Sequence, residues 1–214
     1  MAERTENIAR EVRIRLSFKR ILNISIVEQS FTAEIFFEAS WEAPEFAEMP
    51  EVDVDNSVCS SFPATKIYIK ADKDKKIEDR ETYDTPHLHI GNIKDKKSEI
   101  DVENWFQIYY NDGEPIVCQR VKLTATFQER MELENFPFDE QELGIDIISY
   151  CPYTSSQRRS VDDEYGGKRF VLVRNLNMKY KSLVVKSNFV QENEYELMDI
   201  IRFTQGITGK LMTE

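Results

Sequence analysis

Apolar and polar residues alternate with a period of two along much of the chain, the pattern of strands that bury one face and leave the other to water. The first clear case is Val12-Arg13-Ile14-Arg15-Leu16-Ser17-Phe18. A longer strand is expected over Ser30 to Trp41, with Phe31, Ala33, Ile35 and Phe37 on one face and Thr32, Glu34, Phe36 and Glu38 on the other. Phe36 breaks the scheme as an aromatic ring among polar neighbours. Further strands are expected at Thr65 to Lys70, Trp105 to Tyr110, Ile116 to Arg130, Leu143 to Tyr150, Phe170 to Arg174, Ser182 to Phe189 and Tyr195 to Phe203. Asn111-Asp112-Gly113-Glu114 is the strongest hairpin signal, because Asp-Gly supplies the two positive-φ positions of a tight turn. Glu3 to Glu11 is expected to form a short helix, and nothing after it carries sustained helical periodicity. Residues 42–58, with Pro44 and Pro50 among several carboxylates, and the charged residues 71–82 read as connections. About nine or ten strands at this spacing predict an all-β fold, a sandwich or a barrel, in one domain over residues 1–214.

Composition narrows the function classes. The chain has 214 residues and is 41% hydrophobic, enough to enclose one core. No apolar run approaches the roughly 18–20 residues needed to cross a bilayer. A formal charge of −11 argues against a sequence-independent grip on nucleic acid, which needs clustered cations on one face. The lysines at 73, 75, 76, 94, 96 and 97 are interleaved with Asp72, Asp74, Asp79 and Asp95 and read as solvated loops. Cys59, Cys118 and Cys151 are too scattered for a disulfide framework. Cys118 and Cys151 fall on strands expected to be neighbours and one pair could form there, with buried free thiols the favoured reading. The N-terminus has no apolar signal region, and Asn23-Ile24-Ser25 is a single glycosylation triplet.

No hydrolase elbow, zincin helix or phosphate-binding glycine loop is present, so no enzyme activity and no cofactor are expected. His87 and His89, at i and i+2, could share a zinc ion if both lay on one strand face, but they lack further ligands nearby. Asp53, Asp55, Asp162, Asp163 and Glu164 lack the spacing of a calcium loop and read as solvated carboxylates.

The stretch Met131-Glu132-Leu133-Glu134-Asn135-Phe136-Pro137-Phe138-Asp139-Glu140-Gln141 is the most informative in the chain. It closely resembles the signature loop of the extracellular ligand-binding domain of pentameric ligand-gated ion channels, the Cys-loop receptor family, and of the related soluble acetylcholine-binding proteins. That loop has the core Met-Asp-Leu-x-x-Phe-Pro-Phe-Asp-x-Gln, and here Glu132 replaces Asp. Trp41, Pro86 six residues before Asn92, and Glu194-Tyr195-Glu196-Leu197 match the family at the expected intervals, and the resemblance runs over residues 10–203. Glu129 and Leu143 stand where animal receptors carry the bracketing cysteines, a departure similar to prokaryotic members. The paired cysteines of loop C are absent, and Gly91 stands at the loop A aromatic position.

The resemblance implies an immunoglobulin-like β-sandwich of about ten strands with a short N-terminal helix. It also implies a homo-oligomer, a pentamer, on the extracellular side of the membrane, with membrane contact only through a pore domain outside this chain. A small-molecule ligand, an amine among the candidates, would bind between subunits. Tyr150 falls on the loop B aromatic after Ser149, Phe36 falls on the loop D aromatic of the opposite face, and Phe203 is the aromatic nearest loop C. Phe136, Pro137, Phe138 and Asp139 would form the loop that couples binding to the pore. The last family strand is expected to be missing after Phe203. Two rival readings are a soluble protein that sequesters ligand and an oligomeric scaffold without a small-molecule site.

Overall fold

The computed structural model describes residues 10–49, 52–59, 62–70, 81–95, 100–131, 140–149, 170–177, 182–191, 196–197 and 201–204. Almost all regular structure there is β. The strands are β1 (Arg10–Ser25), β2 (Ser30–Glu42), β3 (Lys66–Tyr68), β4 (Thr82–Asp84), β5 (Leu88–Ile90), β6 (Ile100–Asn111), β7 (Glu114–Gln128), β8 (Ile147–Ser149), β9 (Phe170–Arg174) and β10 (Leu183–Val184), with 3₁₀ turns at Pro44–Phe46 and Lys186–Asn188. One large sheet has the order β10-β1-β2-β7-β6, with β9 also on β1, and β3–β4 and β5–β8 form two small pairs. The long strands are antiparallel to their neighbours, whereas β9 and β10 run parallel to β1.

Alternation decides which face of this sheet is buried. Phe31, Ala33, Ile35, Phe37, Ala39 and Trp41 of β2 lie under the sheet at 2% exposure or less. They pair across to β7 as Phe31 with Phe127, Ile35 with Leu123 and Phe37 with Val121. A slip of one residue would turn this whole set toward water, so the pattern fixes the register. The aromatic contacts Phe31–Phe127 at 5.2 Å, Trp41–Phe106 at 6.4 Å and Trp41–Phe170 at 6.4 Å tie β2 to β7, β6 and β9.

The opposite face carries ion pairs. Glu38 accepts from Arg15 at 3.2 Å and Arg120 at 2.8 Å, joining β1, β2 and β7 across the strands. Lys122 lies 3.4 Å from Glu103 and 3.9 Å from Glu34. Beneath the Glu38 cluster the Cys118 thiol is pushed up to about 12, first by burial and then by the Glu38 carboxylate. Cys59 and Cys118 are buried free thiols, and Cys151 lies outside the described residues. The outer edge of β6 is closed by the side chain of Asn56, which accepts from the Phe106 N–H at 2.7 Å and donates to the Phe106 carbonyl at 3.1 Å. That imitation of a strand blocks further pairing there.

Several expected boundaries move. Residues 3–9 of the expected N-terminal helix lie outside the described residues, and Arg10 and Glu11 open β1, held beside Phe170 and Val171. β1 extends past Phe18 to Ser25 because register shifts at Phe18/Arg20 and Ile21/Asn23 reset its alternation. Asp112 and Gly113 take φ of 51° and 88°, the primed turn expected there, and β6 and β7 start earlier than expected, at Ile100 and Glu114. Of the described residues of Leu143 to Tyr150, namely 143–149, only Ile147–Ser149 is strand, and of Ser182 to Phe189 only Leu183–Val184 is. The described residues of Tyr195 to Phe203, namely 196–197 and 201–203, are in no strand.

Phe37→Ala should cost about 3–5 kcal/mol in urea unfolding, since a fully buried ring leaves a cavity among packed neighbours. A thiol reagent at pH 8 should label at most one of the three cysteines in the native protein and all three in denaturant. The neutral Cys118 thiol contributes fully to stability below its ordinary value of 9.0, and that contribution should drain away as pH rises toward about 12.

Candidate functional site

Phe36 lies on the charged face of the large sheet, half-buried and 6.0 Å from Trp105 of β6. Its ring already has cations over it, the Arg15 guanidinium at 5.7 Å and the Lys19 ammonium at 5.5 Å. Phe203 is 36% exposed, and the Arg174 guanidinium at the end of β9 sits 5.1 Å from its centroid. Both described aromatic candidates therefore hold one of the chain's own cations where a ligand ammonium would bind.

Ser149 is buried on β8, and its hydroxyl donates to the Pro86 carbonyl at 2.6 Å. That bond fixes β8 against the segment entering β5, whose Leu88 pairs with Ser149. Tyr150 itself, and the coupling residues Phe136, Pro137, Phe138 and Asp139, lie outside the described residues.

The two ends of the segment carrying Phe136 to Asp139 are described, and they are clasped together. Glu129 accepts a hydrogen bond from the Gly144 amide at 2.8 Å on one carboxylate oxygen and from its neighbour Arg130 on the other. Asn92 donates to the carbonyls of Gln128 at 3.1 Å and Gly144 at 2.9 Å, and accepts from the Asp146 amide at 3.0 Å. The Gln128 amide returns to the Asn92 carbonyl at 2.7 Å. Gln29, in the turn between β1 and β2 with φ of 50°, brackets Met131 from the other side. It accepts from the Met131 amide at 2.6 Å and donates to the Met131 carbonyl at 3.0 Å. One side chain on each of three elements therefore fixes where the segment leaves and rejoins the sheet.

Gly144 packs closely at one end of this clasp. A Cβ there would come within 2.5 Å of the Glu129 carboxylate oxygen, so a larger residue would make that flexible side chain shift. A Cβ on Gly91 would come 2.4 Å from the tip of the Ile148 side chain, which would have to shift. Sequence reasoning noted Glu129 and Asn92 only as markers of position and missed Gln29 and Gly144. Two polar side chains and a glycine at the borders of otherwise apolar strands were the available signal.

Among the described residues His87 and His89 form no centre with acidic or thiol groups. His87 sits at φ of 49°, and burial lowers the His89 pKa. Among the described residues no three His, Cys, Asp or Glu side chains converge as metal ligands would. Asp53 pairs with Lys70 at 2.7 Å, and Asp55 accepts from the hydroxyl and amide of Ser57. Asp162, Asp163 and Glu164 lie outside the described residues.

No family model matches the chain, and no curated protein matches it.

Glu129→Ala removes a charged acceptor from a partly buried amide and should cost about 1–3 kcal/mol. Amide exchange at Gly144 should accelerate by about tenfold or more, whereas Glu129→Gln, which keeps an acceptor, should lie much closer to the parent. Equal exchange rates in the parent and Glu129→Ala would show that the clasp holds nothing.

Proposed function

We propose that this chain is the extracellular ligand-binding domain of a pentameric ligand-gated ion channel, binding a small molecule between subunits and passing the signal to a pore domain. The observation that carries the reading is the clasp. Glu129 and Leu143 stand where animal members of the resembled family carry their bracketing cysteines, and here the Glu129 carboxylate is bonded to the amide of Gly144, the residue after Leu143. The reading is also supported by the sheet, whose core face is available to the β3–β4 and β5–β8 pairs as the second layer of an immunoglobulin-like sandwich.

In this reading five copies form a ring. One subunit contributes Ser149, Tyr150 and Phe203 and its neighbour contributes Phe36, which lies on the charged sheet face and not beside Ser149. Binding near Tyr150 would move β8, and Asn92 would carry that movement to the base of the coupling segment, because it bonds both Asp146 before β8 and Gln128 at the end of β7. Among the described residues no helix is long and apolar enough to cross a membrane, and the pore would be formed by segments other than these. Work of this kind needs no catalytic group. A scaffold without a ligand site is the second reading, favoured by the cations that already cover Phe36 and Phe203.

Light scattering should give a mass near five times 25.2 kDa. In a screen of small amines and acids followed by thermal shift, Tyr150→Ala should abolish the response of any hit while leaving the mass unchanged. A pentamer that gives no hit favours the scaffold reading, and hits that all survive the substitution remove Tyr150 from the site.

A further inference from the structure

Alternation along β7 sends Gln119 to the core face between Val117 and Val121, and it is the most deeply buried polar side chain among the described residues, at 0% exposure. A primary amide carries two donors and a carbonyl acceptor, and each is expensive to bury without a partner.

The nitrogen is provided for. Gln119 Nε2 donates to Asn104 Oδ1 on β6 at 3.0 Å, and Asn104 Nδ2 donates in turn to the Cys59 carbonyl at 2.8 Å. That carbonyl can only accept, so it dictates the orientation of both amides. Turning Asn104 would set its oxygen against the Cys59 oxygen, and turning Gln119 alone would set its oxygen against that of Asn104. The chain therefore ends at Gln119 Oε1, a buried acceptor to which none of the described residues donates.

The neighbouring strands leave little choice of donor. The residues registered with Gln119 are Ala39 on β2 and Phe106 on β6, and neither side chain has a proton to give. The Phe106 amide is committed to Asn56 at 2.7 Å. On the core face of β2, Ala39 stands between Phe37 and Trp41, so a methyl fills the place where its neighbours put rings.

We infer that a water molecule is bound inside the core between β2 and β7, donating to Gln119 Oε1 beside the Ala39 methyl. The site sets the chemistry of its occupant. It must donate a hydrogen bond, fit beside a methyl among close-packed rings, and be neutral, because a cation would exchange its hydration for one amide oxygen. Water meets all three conditions. A buried water makes about two to four hydrogen bonds, and the Cys59 carbonyl, which has a second lone pair, stands at the other end of the same chain. Cys59 belongs to the segment whose Asn56 closes the edge of β6, so the water completes a polar bridge between the sheet and that segment. The inference goes beyond the receptor reading and holds whether or not the chain forms a ring.

The test is made on the full chain, labelled with ¹⁵N. The side-chain amide of Gln119, assigned through its backbone, should show a cross-peak to water whose sign inverts in the rotating frame, which separates a bound molecule from proton exchange. Two substitutions at the opposing residue then probe the place. Ala39→Ser brings a hydroxyl to that side and should abolish the cross-peak while the urea midpoint stays close to the parent's. Ala39→Val fills the same space without a donor and should abolish the cross-peak and lower the midpoint, because the acceptor is then stripped. A parent amide without a water cross-peak overturns the inference, and this readout needs no variant to fold. An Ala39→Val variant more stable than the parent also overturns it, since a dry gap would have been filled. A cross-peak that persists in both variants overturns the placement of the water beside Ala39.

Discussion

β2 is hydrogen-bonded along nearly its whole length on both edges, to β1 on one side and β7 on the other, and every other feature of the molecule takes its position from that. Its inward residues are fully buried and its outward residues are charged or hydroxylated, with Phe36 among them. A strand so constrained has one permitted register and one permitted orientation. The core packs against one face and the ion-pair lattice forms on the other, without either having to be specified separately. Glu38, at 9% exposure, shows how close the two layers are, for it is nearly buried and still reaches guanidinium groups on both flanking strands. Removing one partner there would strand a charge in a poorly solvated place, which is how a polar face comes to reinforce the pairing chosen by the apolar one.

The same lattice makes departures from it informative. Most cations on this face have a carboxylate within reach, as Arg15 and Arg120 have Glu38, so a break in the ladder is easy to notice. The β1 bulge is such a break, and it falls beside the aromatic ring that the alternation itself fails to explain. Two independent irregularities, one in backbone pairing and one in side-chain type, thus coincide at one spot on the sheet. The clasp at the other end of β7 has a different character. There the chain leaves the ladder altogether, and backbone amides that would have bonded to a neighbouring strand bond to Glu129, Asn92 and Gln29 instead.

How much of this was legible in the sequence follows from that distinction. β2 and β9 were readable almost to the residue, because both edges of β2 are paired and the limits of β9 coincide with its short apolar run. The hairpin at Asp112-Gly113 was readable from local backbone chemistry alone. Leu143 to Ile147 alternates like a strand, yet the amides of Gly144 and Asp146 belong to side chains, and alternation carries no information about where a hydrogen bond ends. Ser182 to Phe189 failed for a related reason. Its partner is the bulged stretch of β1, so the ladder lasts two residues, gives way to a 3₁₀ turn and resumes only as a bridge from Phe189 to Ile21. The Phe36 site was half legible: the misplaced aromatic could be seen and alternation puts Arg15 and Lys19 on its face, but not that their charged ends come to lie over its ring.

Closure of the 129–144 segment by hydrogen bonds has a consequence beyond geometry. A disulfide at this place would require oxidising conditions and would lock the segment until reduced. A carboxylate on an amide forms as soon as the chain folds, in a reducing compartment as readily as in an oxidising one, and it opens and recloses without any electron transfer. The closure between Glu129 and Gly144 is therefore independent of the redox state of its surroundings, and it can be made and unmade without any change in covalent bonding.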